Sequence, residues 1–134
     1  MTSKVLYEGN LRTVATHLAS SNSIVTDAPI DNHGRGEAFS PTDLVATALG
    51  SCMLTVMGIK ANDLAVDLVG AVVYITKIMG TEPRRIIEIK VRFELKGKIV
   101  SDKDRTILER IARTCPVLES LHPDLKKDVE FTWE

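Results

Sequence analysis

The sequence predicts an α+β domain in which mostly antiparallel β-structure carries two helices of different character. Apolar and charged residues alternate strictly over 87–96, as in a strand with one buried and one solvated face. The run SPTDLVATALGSCMLTVM at Ser40–Met57 is almost free of charge and favours helix. With the remaining elements, these features predict the order βββ-α-ββ-α-β in one domain covering residues 1–134.

Composition excludes several classes of protein. The chain has 134 residues, with 17 basic and 18 acidic side chains, so no net field attracts nucleic acid or an anionic membrane. Its first ten residues, MTSKVLYEGN, lack a basic segment followed by an apolar one, and we expect a cytoplasmic protein. Two cysteines do not make a disulfide framework.

Three short strands are predicted at the N-terminal end. Lys4–Glu8 and Leu11–Thr16 flank the dipeptide Gly9-Asn10, which is typical of a hairpin turn. Ile24–Thr26 is the third strand. Residues 27–39 contain proline, glycine, asparagine and aspartate without periodicity, which indicates a loop leading into the first helix.

The first helix begins at a capping box. Ser40 is a suitable N-cap, Pro41 suits the first helical position, and Asp43 is placed to bond back to the cap. The helix is expected to continue to about Ile59 or Lys60, to be broken at Asn62-Asp63, and to be too short to span a membrane. Because it is apolar nearly all round, it needs cover from two directions, which predicts a two-fold homodimer.

Two strands, a helix and a closing strand complete the chain. Ala65–Met79 is expected to form a strand bent at Gly70, followed by the alternating strand at 87–95. The second helix starts at Ser101, with Asp104 as its capping acid. One apolar stripe of this helix is predicted to contain Ile107, Leu108, Ile111, Ala112 and Cys115. Pro116 disfavours helical backbone at Cys115, which places this cysteine at a helix end, and the last strand carries Val129, Phe131 and Trp133.

These residues resemble a known family. The run FSPTDLVATALGSCM resembles the signature of the OsmC/Ohr family of hydroperoxide-reducing proteins, and the CPV at Cys115 and the arginine of YEGNLRTVATH, Arg12, fit the same pattern. The resemblance covers the whole chain. It implies an intertwined homodimer with active sites at the subunit interface, which reduces organic hydroperoxides, and hydrogen peroxide less well, without a metal or a bound organic cofactor.

The resemblance also implies a role for each site residue. Cys52 is the peroxidatic thiol, whose thiolate attacks the peroxide and becomes a sulfenic acid. Arg12 is the cation that holds the thiolate, with Arg35 as a rival from the preceding loop. Cys115 is the resolving thiol, which forms a disulfide with Cys52, and an external dithiol or lipoylated protein reduces that disulfide. The three histidines lack zinc-site spacing: His17, His33 and His122.

The chain departs from the family pattern at the start of the central helix. Well-characterised hydroperoxide reductases carry a glutamate directly after the proline, where this chain has Thr42. Asp43 follows one residue later, a rotation of about 100° on a helix, and either orients Arg12 or only caps the helix. The sequence is therefore more similar to the broader OsmC-like branch. The alternative function is a non-catalytic, dimeric binding or structural protein with buried thiols.

Overall fold

The chain folds into six strands and three helices in the order βββ-α-ββ-αα-β. The computed structural model describes residues 1–134 and confirms the α+β class, with one short helix more than predicted. The strands are β1 (Ser3–Gly9), β2 (Arg12–His17), β3 (Ser23–Asp27), β4 (Val72–Gly80), β5 (Arg85–Glu94) and β6 (Lys126–Thr132). The helices are α1 (Pro41–Asp63), α2 (Asp102–Ala112) and α3 (Pro116–Ser120).

Residues 1–45 form one of two compact units. The strands β1, β2 and β3 make an antiparallel sheet in that order. Asn10 and Leu11 turn the first hairpin with φ values of 54° and 60°, both in the left-handed region that suits a tight hairpin turn. The register between β2 and β3 places Arg12 opposite Asp27, the last residue of β3.

Residues 46–134 form the second unit. Its sheet has the order β4-β5-β6, in which β5 is antiparallel to β4 and parallel to β6. The parallel pair requires a crossover, which α2 and α3 supply. The inward side chains of β5 join one apolar cluster with the inner face of α1 and with α2; the fully or almost fully buried members include Leu49, Met53, Met57, Ile89, Val91, Phe93 and Leu108.

The predicted capping box of α1 is confirmed, and at α2 the predicted N-cap is confirmed by one of the two bonds of a box. The backbone N–H of Ser40 donates to Asp43 Oδ2 at 2.9 Å, and that of Asp43 donates to Ser40 Oγ at 3.0 Å. At the start of α2, the Asp104 N–H donates to Ser101 Oγ at 3.1 Å. These bonds satisfy N–H groups that the first turn of a helix leaves without partners.

The first helix is longer than predicted. It includes Asn62 and Asp63 and has 23 residues, because the polar pair fits the solvated last turn of the helix instead of breaking it. By length and composition α1 is long enough to cross a membrane, so the prediction that it is too short is wrong. The core helix of a soluble protein meets the same criterion. Leu49, Met53 and Met57 have no exposed surface.

Two other predictions are wrong in detail. The segment 65–71 is not part of a strand, because Ala65 and Gly70 have φ values of 54° and 87°, which a strand does not accommodate. Cys115 does not lie on the stripe of α2, because α2 ends at Ala112. It instead precedes α3, a helix that the sequence did not reveal.

Candidate active site

The first candidate site residue, Cys52, lies in the interior of α1. Its side chain is partly buried, and its neighbour Met53 belongs to the fully buried face of the helix. The helix is continuous from Pro41 to Asp63, so Cys52 is not at a helix N-terminus and gains nothing from the helix dipole. Activation of this thiol therefore requires a neighbouring charge or hydrogen-bond donor.

The second cysteine, Cys115, is fully buried and caps α3. Its backbone is extended, with φ −67° and ψ 145°, as expected for a residue before proline. Pro116 takes the first helical position, and the backbone N–H of Leu118 donates to Cys115 Sγ at 3.3 Å. The sulfur thus occupies the position of a side-chain oxygen in an ordinary N-cap.

The structure brings the two thiols together. Both are free, Cys52 packs against the buried cluster that contains Cys115, and it is close enough to raise the pKa of Cys115. Burial raises the pKa of Cys115, the proximity of Cys52 raises it further, and the backbone N–H groups of Leu118 and Val117 oppose the rise. Cys115 therefore keeps its proton, and the more accessible Cys52 is better placed to meet a dissolved reagent.

Arg12, at the start of β2, forms a two-bonded pair with Asp27. Its Nε donates to Oδ1 at 2.7 Å and its Nη2 donates to Oδ2 at 2.8 Å. Nη2 also donates to Glu37 Oε2 at 3.1 Å. The mutual hydrogen bonds raise the pKa of Arg12 and lower that of Asp27, against the opposing effect of burial. Both groups are therefore charged at neutral pH.

The loop after β3 folds back to complete this cluster. The Gly36 N–H donates to the Ala28 carbonyl at 3.2 Å, and the Glu37 N–H donates to Asp27 Oδ2 at 3.2 Å. A Cβ at Gly34 would lie 1.7 Å from the Ala28 oxygen, so only glycine permits this close return. The HGRG motif therefore serves to place Glu37 beside Arg12.

The structure shows which carboxylates form hydrogen bonds with Arg12. Asp27 and Glu37 hold it, while Asp43 forms the capping box of α1, one of its two predicted roles. The rival cation, Arg35, lies in the exposed part of the same loop, and its charge contributes to the lowered pKa of Asp27. Sequence reasoning missed Asp27 and Glu37. The register of the three-strand meander, which sets the end of β3 opposite the start of β2, is the signal that would have identified Asp27.

Two of the histidines have polar partners outside these clusters. His17 bonds Ser20 Oγ at 2.7 Å through Nδ1, and His122 Nδ1 accepts the Asp124 N–H at 3.1 Å. The chain contains no group of three or more histidine, cysteine, aspartate or glutamate side chains arranged to hold a metal ion.

Comparison with known proteins places this geometry in context. The family model for OsmC-like proteins matches residues 34–130. No curated protein sequence matches the chain. A proposed osmotic stress induced and detoxification response protein from Psychrobacter arcticus 273-4 is 50% identical, with a TM-score of 0.93, over 98% of this chain and 96% of that chain.

Two structures with lower identity share the fold. The organic hydroperoxide resistance protein OsmC from Legionella pneumophila is 13% identical with a TM-score of 0.76, over 98% of this chain and 97% of its own. A proposed organic hydroperoxide resistance protein from Vibrio cholerae, with captopril bound in one of its active sites, is 17% identical with a TM-score of 0.70 over 98% and 90%.

Proposed function

Because the chain belongs to the OsmC-like protein family, we propose that it is a thiol-dependent peroxidase that reduces organic hydroperoxides in oxidative stress defence. The observation that carries this proposal is the contact between a partly accessible thiol, Cys52, and a buried one, Cys115, which are 63 positions apart in the sequence. A merely structural cysteine needs no second thiol beside it. The family match and the names of two structural relatives, which are hydroperoxide resistance proteins, agree with this chemistry.

The reaction has three balanced steps. The Cys52 thiolate attacks the terminal peroxide oxygen, the O–O bond breaks, and the departing alkoxide takes a proton to become an alcohol, leaving Cys52 as a sulfenic acid. The Cys115 sulfur then attacks the sulfenic sulfur and displaces hydroxide, which leaves as water with the Cys115 proton. An external dithiol, for which a lipoylated protein is a suitable carrier, reduces the Cys52–Cys115 disulfide and is itself oxidised to a disulfide.

Arg12 is proposed to assist the first step. A guanidinium presents hydrogen-bond donors that stabilise both a thiolate and a developing alkoxide. No metal or bound organic cofactor enters this scheme, and the proposed setting is the cytoplasm.

We also propose that the working form is a homodimer. In the single chain, one face of α1 is exposed and uncharged; it consists of Ala48, Ser51, Thr55 and Ile59. Ile59 is 63% exposed, and Val5, Leu6 and Tyr7 on β1 are similarly open. Large apolar side chains that are exposed on each of these elements are candidates for an interface, and a second copy of the chain would cover them.

Thiol counting after peroxide treatment tests the peroxidase proposal. One equivalent of cumene hydroperoxide should remove both free thiols of the wild-type chain by forming the intramolecular disulfide. Cys52→Ser should leave Cys115 unreacted and abolish turnover with a dithiol. Cys115→Ser should form a sulfenic acid once, which dimedone traps. Survival of both wild-type thiols would instead support the non-catalytic alternative.

A further inference from the structure

We propose that Asp27 is the positioning residue for Arg12 in the peroxidase reaction, so that in this chain an acid at the end of β3 orients the arginine while Asp43 caps the central helix. This inference rests on the proposed function and on the role given there to Arg12. It concerns a residue that the sequence did not single out.

The two-bonded contact fixes the plane of the guanidinium. Asp27 receives Nε and one Nη2 hydrogen, and Glu37 receives the other Nη2 hydrogen. Arginine has five N–H donors, and these bonds use the one on Nε and the two on Nη2. The two donors on Nη1 take no part in them. Asp27 thereby sets the direction in which Nη1 presents its donors. A lysine at position 12 would make a contact through a single ammonium group, which fixes no such direction.

Burial separates the two carboxylates. The side chain of Asp27 has no exposed surface, and its Oδ2 also accepts the Glu37 N–H at 3.2 Å. The carboxylate of Glu37 is 65% exposed and holds Arg12 by one bond of 3.1 Å. The side chain of Arg12 itself is 24% exposed. Asp27 is therefore the rigid support, and Glu37 is the adjustable one.

The charge of the cluster indicates that Arg12 stabilises the thiolate through the orientation of its N–H donors more than through net charge. Arg12, Asp27 and Glu37 together carry a net charge of minus one, and Arg35, whose charge also acts on Asp27, brings the sum to zero. Such a cluster does not stabilise a thiolate through its total charge. Oriented N–H donors on Nη1 remain effective, because a hydrogen bond to a charged acceptor depends on geometry at short range.

Replacement of Asp27 by asparagine separates these two effects. Asp27→Asn makes the cluster more positive, which by charge alone lowers the pKa of a nearby thiol and speeds its reaction below that pKa. It also turns an amide N–H₂ toward the guanidinium and destroys the two-bonded contact. If orientation matters, kcat/KM for cumene hydroperoxide falls by about 10- to 100-fold over the whole pH range from 5 to 9.

Two further variants sharpen the test. Arg12→Lys keeps the positive charge and loses the planar fork, so it should lose activity to a similar extent. Glu37→Gln should lower kcat/KM by less than Asp27→Asn does, because the buried Asp27 still holds two donors of Arg12. If Asp27→Asn does not fold, Arg12→Lys carries the test alone.

The matched control is Asp128→Asn. Asp128 accepts an Arg92 Nη2 hydrogen at 2.7 Å in the other compact unit, so this variant removes an aspartate–arginine ion pair outside the proposed site. It should retain kcat/KM within about twofold while losing stability. Wild-type activity in folded Asp27→Asn, or in Arg12→Lys, would overturn the inference while the peroxidase proposal stands. A wild-type protein that does not consume hydroperoxide would overturn the proposed function itself.

Discussion

At the scale of single residues, Cys115 has two tasks that depend on each other. Its sulfur caps α3 by accepting the Leu118 N–H, and it also lies beside Cys52. A disulfide shortens the distance between the two sulfurs, so any movement of the Cys115 sulfur toward Cys52 alters its contact with the Leu118 N–H. The same atom therefore links the redox state of the thiol pair to the first turn of α3.

Asp27 gives a residue-scale prediction about pH. Its pKa is lowered in the folded state, chiefly by the hydrogen bonds from Arg12, so the pair stabilises the fold above the unfolded pKa of roughly 3.9. This stabilisation is lost as the pH falls through the folded pKa. Wild-type protein should therefore have a higher Tm than Asp27→Asn at pH 7, and the difference should shrink below about pH 4.

Thermal scans between pH 7 and pH 2 measure this difference. Asp128 provides a parallel case, because Arg92 lowers its pKa in the same way, and Asp128→Asn should show the same trend. A gap between wild type and Asp27→Asn that stays constant down to pH 2 would contradict the assigned ion pair.

At the scale of elements, alanine substitutions at two glycines of α1 should change the free energy of unfolding in opposite directions. A Cβ at Gly58 would meet nothing within 4 Å, so Gly58→Ala should raise the free energy of unfolding by about 0.5–1 kcal/mol through helix propensity. A Cβ at Gly50 would lie 2.4 Å from Ile75 Cδ1 and 3.3 Å from Val73 Cγ1. Gly50→Ala should therefore lose about 1 kcal/mol, because overpacking outweighs propensity.

Urea unfolding of both variants tests this contrast. In the Gly50→Ala background, Ile75→Val removes the clashing Cδ1 and should recover part of the loss. Equal stabilisation by both alanines would contradict the predicted overpacking and would show that the side chains of β4 move to make room for a Cβ at position 50.

The elements also show how far sequence reasoning reaches. Strict alternation predicted β5, and capping boxes predicted where α1 and α2 begin, because these signals are local. The segment 65–71 was misassigned, because its apolar residues pack against the core from irregular backbone with left-handed Ala65 and Gly70. The contact of Arg12 with Asp27 and Glu37 was missed, because it depends on strand register and on the return of a loop, which no local pattern encodes.

At the scale of the whole molecule, the uncharged outer face of α1 predicts the oligomeric state. Light scattering with chromatography should give twice the mass of the chain at micromolar concentration. Ile59→Glu introduces a charge into the face that a second copy would cover, and it should shift the protein toward monomer.

Lys103→Glu is the matched control for this substitution. Lys103 is exposed on the solvated side of α2, so its reversal should leave the mass unchanged. A wild-type protein that is monomeric at micromolar concentration would refute the dimer, and the exposed face of α1 would then lack cover.

The proximity of Cys52 and Cys115 depends on the crossover that joins β5 to its parallel neighbour β6. β6 reaches β5 only after residues 95–125 have formed the crossover, and Cys115 lies within that segment. Contacts so distant in sequence form slowly, because the intervening chain must first be ordered. During refolding an oxidant therefore meets two separate thiols before it meets a pair. The rate at which the Cys52–Cys115 disulfide becomes able to form during refolding therefore measures how fast this long-range contact is made.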